Sequence, residues 1–172
     1  RKHSAISKLE KIAKKEKMEK ILSAITEYRN RTDRLLLDVA ERLAGDVIDC
    51  MKKCSSVERI YSLGSLRRQA STVGDLDFAV CTDGPKLVLE HFINFKRATR
   101  VIESGDVSAS MIISGGREVD LMTSPKKSYG ALLQHFTGSK FHNIKLREIA
   151  MKKNFTLSEK AEFESEEDLY KF

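Results

Sequence analysis

The sequence predicts an α+β fold, with a short mixed sheet, flanking helices and a small helical unit after the sheet. Three observations support this prediction. Apolar residues recur near a 3.6-residue period before residue 53 and again from residue 128 onward. Between these stretches the period falls to two, as in strands, and Pro125 closes the alternating region. At 172 residues the chain can form one full core, with at most a smaller appendage.

Two helices are predicted before the sheet. The first covers 8–28, as one amphipathic helix or two short ones, and the second covers about 33–53. The apolar positions of the second helix are Leu35, Leu36, Val39, Ala40, Leu43, Val47, Ile48 and Met51.

The alternating region predicts five strands and one helix. The first strand, 57–63, stops at Gly64-Ser65. The other elements are a strand at 76–81, a helix at 86–95 and strands at 98–103, 107–114 and 117–123, the last three separated by turns at 104–106 and 115–116. After Pro125 the helical period returns from Ser128 through Phe136, breaks at 137–139 and resumes over 140–153.

The charge is basic and unevenly distributed. A net charge of +6 and a pI near 9.2 are compatible with a polyanionic partner but do not establish one. Basic residues concentrate in 1–20 and 125–155, whereas the tail from Glu159 is acidic. A single charged run is usually a solvated helix face, but two basic blocks around a neutral middle are harder to explain in that way.

Composition also indicates the cellular compartment in which we expect the protein. The sequence lacks the run of roughly 18 or more apolar residues that a membrane span needs, so we expect a soluble protein without a membrane partner. Three cysteines, Cys50, Cys54 and Cys81, are too few for a disulfide framework and favour a reducing, cytoplasmic setting.

Two acids on one predicted strand are the first chemical signal. Asp75 and Asp77 lie two residues apart, so a period of two sends both carboxylates to one face and Leu76 to the other. Like charges held side by side favour a cation, and hard oxygen ligands suit Mg²⁺ or Mn²⁺. A bare Asp-x-Asp more often only caps a turn, so the context has to decide.

The context is a candidate phosphate seat. Gly64-Ser65 ends a strand, and the residues that follow can start a short helix whose backbone N–H groups point outward. Gly64 would let the backbone approach a phosphate, the Ser65 hydroxyl could donate to it, and Arg68 lies one helical turn on. A third acid, Asp120, faces opposite to its apolar neighbours. If its strand adjoins that of Asp75 and Asp77, three carboxylates converge as two-metal nucleotidyl transfer requires.

These motifs resemble those of the family X (polymerase beta-like) DNA polymerases, with the bacterial members most similar. The matching segments are Gly-Ser-Leu-Arg-Arg at 64–68, Val-Gly-Asp-Leu-Asp at 73–77, His-Phe-Thr-Gly-Ser-Lys-Phe-His-Asn at 135–143 and Leu-Arg-Glu at 146–148. The resemblance implies a nucleotidyltransferase-type palm over 28–124 and a small helical thumb over 125–172. Residues 1–27 would be the end of a helix-hairpin-helix fingers region.

The resemblance also implies a role for each matching residue. The catalytic and metal-binding acids would be Asp75, Asp77 and Asp120, holding two Mg²⁺ or Mn²⁺ ions. The nucleotide would be bound by Gly64, Ser65, Arg68, Gly74, His135, Phe136, Gly138 and Asn143. DNA would be bound by Lys140, Arg147 and Lys152, with Asn143 and Arg147 reaching the minor-groove side of the nascent pair. The alternatives are ordinary helix core for His135-Phe136 and a solvated helix face for Asn143 and Arg147.

Several positions depart from the family pattern. Gln69 and Met122 stand where many relatives carry Gly and Arg, and His135 replaces a frequent Tyr. The usual Glu-Tyr-Gly-Leu-Phe segment is Glu-Lys-Ala-Glu-Phe at 159–163. Sugar selection and catalytic rate are the properties that these changes would affect.

The function that follows is template-directed, gap-filling DNA synthesis in DNA repair, with dNTP and gapped or primer-template DNA as partners in the cytoplasm, at the nucleoid. Two alternatives stay open. One is a nucleotidyltransferase that adds nucleotides without a template, and the other is a catalytically weak DNA-binding remnant, against which the full set of acids argues. Bacterial relatives often continue into a C-terminal phosphoesterase domain, so the resemblance implies such a domain as a partner beyond this chain.

Overall fold

The computed structural model describes residues 2–15, 18–19, 21–22, 25 and 34–171. The helices are α1 (Lys2–Lys15), α2 (Leu37–Met51), α3 (Gly64–Arg67), α4 (Pro85–Ile93), α5 (Tyr129–Thr137), α6 (Lys140–Lys152) and α7 (Glu166–Lys171), with a 3-10 turn at Lys126–Ser128. The strands are β1 (Leu35–Leu36), β2 (Arg59–Ser62), β3 (Thr72–Val73), β4 (Leu76–Cys81), β5 (Ala98–Ser104), β6 (Ser108–Ile113) and β7 (Arg117–Ser124). The predicted α+β class is confirmed.

Five strands form a mixed sheet in the order β2-β4-β7-β6-β5. The pair β4–β7 is parallel, and the other neighbours are antiparallel. The sequence left the pairing of the two acid-bearing strands open. The structure places these strands side by side at the centre of the sheet.

Alternation along β4 divides its side chains between two layers. Leu76, Phe78 and Val80 enter the main core, which α2 and α4 cover. The opposite layer is smaller and consists of Leu63, Ala79, Cys81, Tyr129, Leu132 and Leu133. In that layer the Tyr129 hydroxyl donates to the Ala79 carbonyl oxygen at 3.1 Å. The bond fixes α5 against the same face of the sheet that carries the acids.

The structure differs from the prediction at the start of α2. Leu35 pairs with Val73 in a two-stranded antiparallel sheet, β1–β3, so the helix begins at Leu37 instead of near residue 33. Arg34 adds to this pairing, because its Nε donates to Thr72 Oγ1 at 2.8 Å and its Nη2 to the Thr72 carbonyl at 2.6 Å. Two-residue strands are too short to have a period, which is why the sequence did not predict them.

The ends of the chain also differ. The helix predicted over 8–28 is confirmed over 8–15, begins earlier at Lys2 and ends at Lys15; much of 16–28 lies outside the described residues. Helix α7 was not predicted, because its six residues look like part of a charged run. The other predicted helices and strands are confirmed with boundaries within two residues. Among the described residues, no helix has the length and apolar character needed to cross a membrane.

Candidate active site

Asp77 and Asp120 lie directly opposite each other on the parallel pair β4–β7. In each strand the residues that flank the acid are buried in the main core, so both carboxylates project from the other face. Asp75 immediately precedes β4, and its side chain is exposed. The observed bounds of β4 match the predicted strand at 76–81, so the prediction that one strand carries both acids holds for Asp77 and not for Asp75.

The three acids interact electrostatically. Burial raises the pKa of Asp77 to about 6, and the charges of Asp120 and then Asp75 add to the rise. Within the residues that the structure describes, no three His, Cys, Asp or Glu side chains are gathered closely enough for a preformed metal centre. The arrangement is a close pair of carboxylates with a third at its edge. Its hard oxygen donors fit Mg²⁺ or Mn²⁺.

Gly64 brings the turn before α3 into contact with this pair. Its φ is +58°, in the left-handed region that favours glycine, and a Cβ at this position would lie 2.7 Å from Asp77 Oδ2. The backbone N–H of the preceding residue, Leu63, donates to the Asp77 carbonyl at 2.8 Å. Gly64 therefore makes room for the acid itself, a role that the phosphate-seat argument did not anticipate.

The other predicted phosphate-seat residues are close by. Ser65 is half-buried in α3. At Gly74 an added Cβ would lie 3.0 Å from Arg34 Nη1, so the glycine backbone abuts a guanidinium. Neither placement tests a contact with a triphosphate, which stays a prediction for both residues.

Two consecutive arginines join α3 to the C-terminal helices. Arg68 Nη1 donates to the Thr137 carbonyl oxygen, beside Gly138, where an added Cβ would lie 3.3 Å from the same nitrogen. Arg67 forms a bidentate pair with Glu166, at 2.8 and 2.6 Å, and donates to Thr137 Oγ1 at 2.6 Å. The predicted triphosphate contact of Arg68 stays a prediction, but one of its nitrogens bonds to the end of α5.

At the end of α5, His135 and Phe136 have different surroundings. Phe136 packs against the smaller core layer, and the two rings meet edge-on with centroids 4.8 Å apart. His135 Nδ1 accepts from Arg147 Nη2 at 3.1 Å. Burial lowers the pKa of His135, an effect that nearby Glu159 opposes and the charge of Arg147 reinforces. A neutral His135 can accept this bond, which holds Arg147 against α5.

Asn143 is also held by α5. Its Nδ2 donates to the His135 carbonyl at 2.6 Å, and its Oδ1 accepts from Gln134 Nε2 at 2.8 Å. Lys140 and Lys152 lie exposed at the two ends of α6. The structure thus brings His135, Asn143 and Arg147 together and leaves the two lysines facing solvent.

Met122 lies on the acid-bearing face, two residues beyond Asp120. It is half-buried and packs against the smaller core layer, as Phe136 does. Both side chains line a mainly apolar cleft of about 500 Å³ between β7 and the C-terminal helices. The other lining residues are Val107, Ser108, Thr123, Ser124, Pro125, Ser128, Leu132, Glu159 and Lys160.

Sequence reasoning missed four residues that organise this region: Arg67, Gln134, Thr137 and Glu166. Arg67 was part of the matched motif but received no role. Gln134 shows no sequence signal beyond being a polar residue within an apolar helix, and its side chain is buried. Buried polar groups almost always have hydrogen-bond partners, so this position could have been singled out.

Adjacent parallel strands thus carry opposed acids, next to a Gly-Ser turn that approaches one of them. Residues 132–172 match the family model described as the DNA polymerase beta thumb. Over 147 residues, 84% of this chain, the sequence is 36% identical to the DNA polymerase/3′-5′ exonuclease PolX of Bacillus subtilis (strain 168). These findings confirm the predicted resemblance to the family X polymerases of bacterial type.

The matched region is a limited part of that relative. The chain spans 26% of the length of the Bacillus subtilis protein. The thumb match begins seven residues after the predicted start of the thumb at 125, and the boundaries 1–27, 28–124 and 125–172 stay predictions.

Proposed function

We propose that this chain is the polymerising part of a DNA-directed DNA polymerase that transfers a nucleotide from dNTP to a primer 3′-hydroxyl, filling gaps in DNA repair. The main support is the register of Asp77 against Asp120 beneath the Gly64 turn, in a chain similar to a family X polymerase. That register gives two adjacent carboxylates on one face of a rigid sheet, the requirement for binding cations at a phosphoryl group.

The acids would hold two Mg²⁺ or Mn²⁺ ions through Asp75, Asp77 and Asp120. When bound, the ions supply charge to the triphosphate and favour deprotonation of the attacking hydroxyl. Asp120 would accept the proton that the primer 3′-hydroxyl loses as its oxygen attacks the α-phosphate and pyrophosphate leaves, while the Gly64-Ser65 turn and Arg68 would orient the phosphates. Phe136 and Gly138 lie beside the sugar of the incoming nucleotide. The aromatic ring and the glycine backbone, which carries no side chain, restrict the space around the sugar.

The C-terminal helices would hold the DNA. Asn143 and Arg147 face the minor-groove side of the nascent pair, where every base pair presents an acceptor. Lys140 and Lys152, exposed on α6, bind phosphates without regard to sequence. The site of action would be the cytoplasm, at the nucleoid, and a phosphoesterase domain would belong to the same longer protein.

Primer extension on single-nucleotide-gapped DNA tests the proposal. Each dNTP is supplied singly, with Mg²⁺ or Mn²⁺, on a gapped duplex and on the same primer without a template. We expect addition only of the complementary nucleotide, and only on the gapped duplex. Equal addition of all four nucleotides without a template would favour the template-independent transferase instead. DNA binding without any addition would favour the remnant.

A further inference from the structure

Gln134 is a buried polar side chain at the junction of the three C-terminal helices. It lies in α5 with only 4% of its surface exposed, and its Nε2 donates to Asn143 Oδ1 on α6 at 2.8 Å. Burial raises the pKa of Tyr170 on α7, whose hydroxyl lies close enough to the Gln134 amide for the amide to oppose that rise. A buried amide that donates to a neighbouring helix is held in the orientation that keeps this bond.

The donors and acceptors around Asn143 permit one orientation of its amide. The His135 backbone carbonyl can only accept, so the Asn143 nitrogen must face it, as the 2.6 Å bond shows. Asn143 Oδ1 then faces Gln134, which has to present its own NH₂ group. Gln134 thereby prevents a rotation of the Asn143 amide that would exchange the positions of Oδ1 and Nδ2.

One donor of Asn143 is left after these bonds. The Nδ2 group has two N–H bonds, of which one goes to the His135 carbonyl, so the other can serve a ligand. In the minor groove every purine offers N3 and every pyrimidine O2 as an acceptor. A fixed N–H donor matches that shared acceptor whichever base is paired.

We propose that Gln134 is a positioning residue that fixes the Asn143 amide so that an N–H donor meets the minor-groove acceptor of the incoming nucleotide. The proposal rests on the proposed polymerase function, and on Asn143 facing the nucleotide within it. Gln134 itself touches neither nucleotide nor DNA and acts only through Asn143.

The test compares dATP with 3-deaza-dATP, an analogue in which a C–H replaces the N3 acceptor. Rates of single-nucleotide gap filling opposite thymine are measured for the parent protein, Gln134→Met and Gln134→Leu. Both substitutions keep much of the volume and remove the donor. Leu133→Val is the matched control, because it alters a buried residue of the same helix that packs on the sheet.

We expect the parent and Leu133→Val to use 3-deaza-dATP with kcat/KM reduced by roughly two- to tenfold, the worth of one hydrogen bond. In both Gln134 variants the two nucleotides should be used about equally, with the loss for dATP appearing in KM. If a Gln134 variant does not fold, Asn143→Asp supplies the second test. This variant can accept from Gln134 but cannot donate, and it should also lose the discrimination.

The possible failures are distinguishable. A parent that fills gaps but does not distinguish the two nucleotides would overturn the inference and leave the proposed function intact. Unchanged discrimination in Gln134→Met or Asn143→Asp would do the same. A parent that adds no nucleotide at all would overturn the proposed function, and with it the ligand assigned to Asn143.

Discussion

The candidate site draws on two regions that hold their side chains in different ways. In the sheet half, residues 34–124, the acids are fixed by backbone register, with Asp77 paired against Asp120. In the helical half, residues 125–171, two predicted site residues, Asn143 and Arg147, are held by hydrogen bonds to His135 on α5. Strand pairing therefore positions the acids, whereas hydrogen bonds of side chains position the residues predicted to contact the nucleotide and DNA.

The largest expected effect is in the sheet half. Asp120→Asn or Asp77→Asn should lower the rate of nucleotide addition by roughly a thousandfold or more, because each removes one of the proposed metal-binding carboxylates. DNA affinity should change little, since α6 is untouched. Single-turnover gap filling and a binding titration measure the two effects. Asp83→Asn, an exposed acid beyond β4, is the control and should keep the parental rate.

A second prediction concerns the stability of the acid pair without metal. The folded pKa of Asp77, about 6, exceeds its unfolded value of 3.8, so the fold favours the protonated acid. This favourable contribution is complete below about pH 4 and is lost as pH rises through 6. At pH 7.5 Asp77→Asn should therefore be more stable than the parent by up to about 3 kcal/mol, with the difference vanishing near pH 4.

Urea unfolding at several pH values, in the presence of a chelator, measures this difference. Added Mg²⁺ should raise the unfolding free energy of the parent at pH 7.5 more than that of Asp77→Asn, since ligand binding stabilises the state that binds it. A difference that does not change with pH would show that burial of Asp77 has little energetic effect. The pairing of β4 with β7 would then hold the two carboxylates side by side at little cost in folding free energy.

Two glycines of the sheet half give the third prediction. Gly64→Ala should destabilise the fold by about 2 kcal/mol or more, because the residue has a positive φ and its new Cβ would meet Asp77. Gly45→Ala is the control within α2. Beyond its own helix backbone and chain neighbours, nothing lies within 4 Å of its Cβ position, so the change should stabilise the fold by about 0.5–1 kcal/mol. Thermal unfolding of both variants measures the contrast, and equal effects would contradict it.

The sequence predicted the sheet half better than the helical half. A period of two is enough to assign a strand and the face of an acid, so Asp77 and Asp120 were placed on the correct side of their strands. That β4 and β7 are neighbours could not be predicted, because strand order depends on the whole chain. In the helical half, spacing predicted α5 and α6 to within one residue, yet the partners of Asn143 and Arg147 depend on atomic distances between helices.

The residues that sequence reasoning missed also depend on contacts between distant segments of the chain. Glu166 lies in an acidic stretch that sequence alone assigns to a solvated face, and its partner Arg67 is 99 residues away. Arg68 was predicted to face a phosphate, and nothing in its sequence neighbourhood indicates the bond to the Thr137 carbonyl. Side chains that join distant segments have no local period, so only the folded chain identifies them.

The last and smallest prediction tests how the two halves are joined. Arg67 and Glu166 form a bidentate pair whose side chains are 28% and 22% exposed, so solvent screens it only in part. The matched control is the pair Arg42 and Asp38 on α2, with a single contact of 3.2 Å and side chains 69% and 64% exposed. A double-mutant cycle should give a coupling of about 1–2 kcal/mol for the first pair and under about 0.5 kcal/mol for the second.

Arg67→Lys sharpens the same test, because it keeps the charge and removes the planar fork that contacts both Glu166 oxygens and Thr137. We expect it to lose most of the coupling and, because Arg68 bonds the same end of α5, to raise the KM for dNTP more than it lowers kcat. If the coupling of Arg67 with Glu166 is no larger than that of the exposed control, the pair does not join the halves. The contact of α5 with the sheet, through Tyr129 and the smaller core layer, would then be what holds the helical half in place.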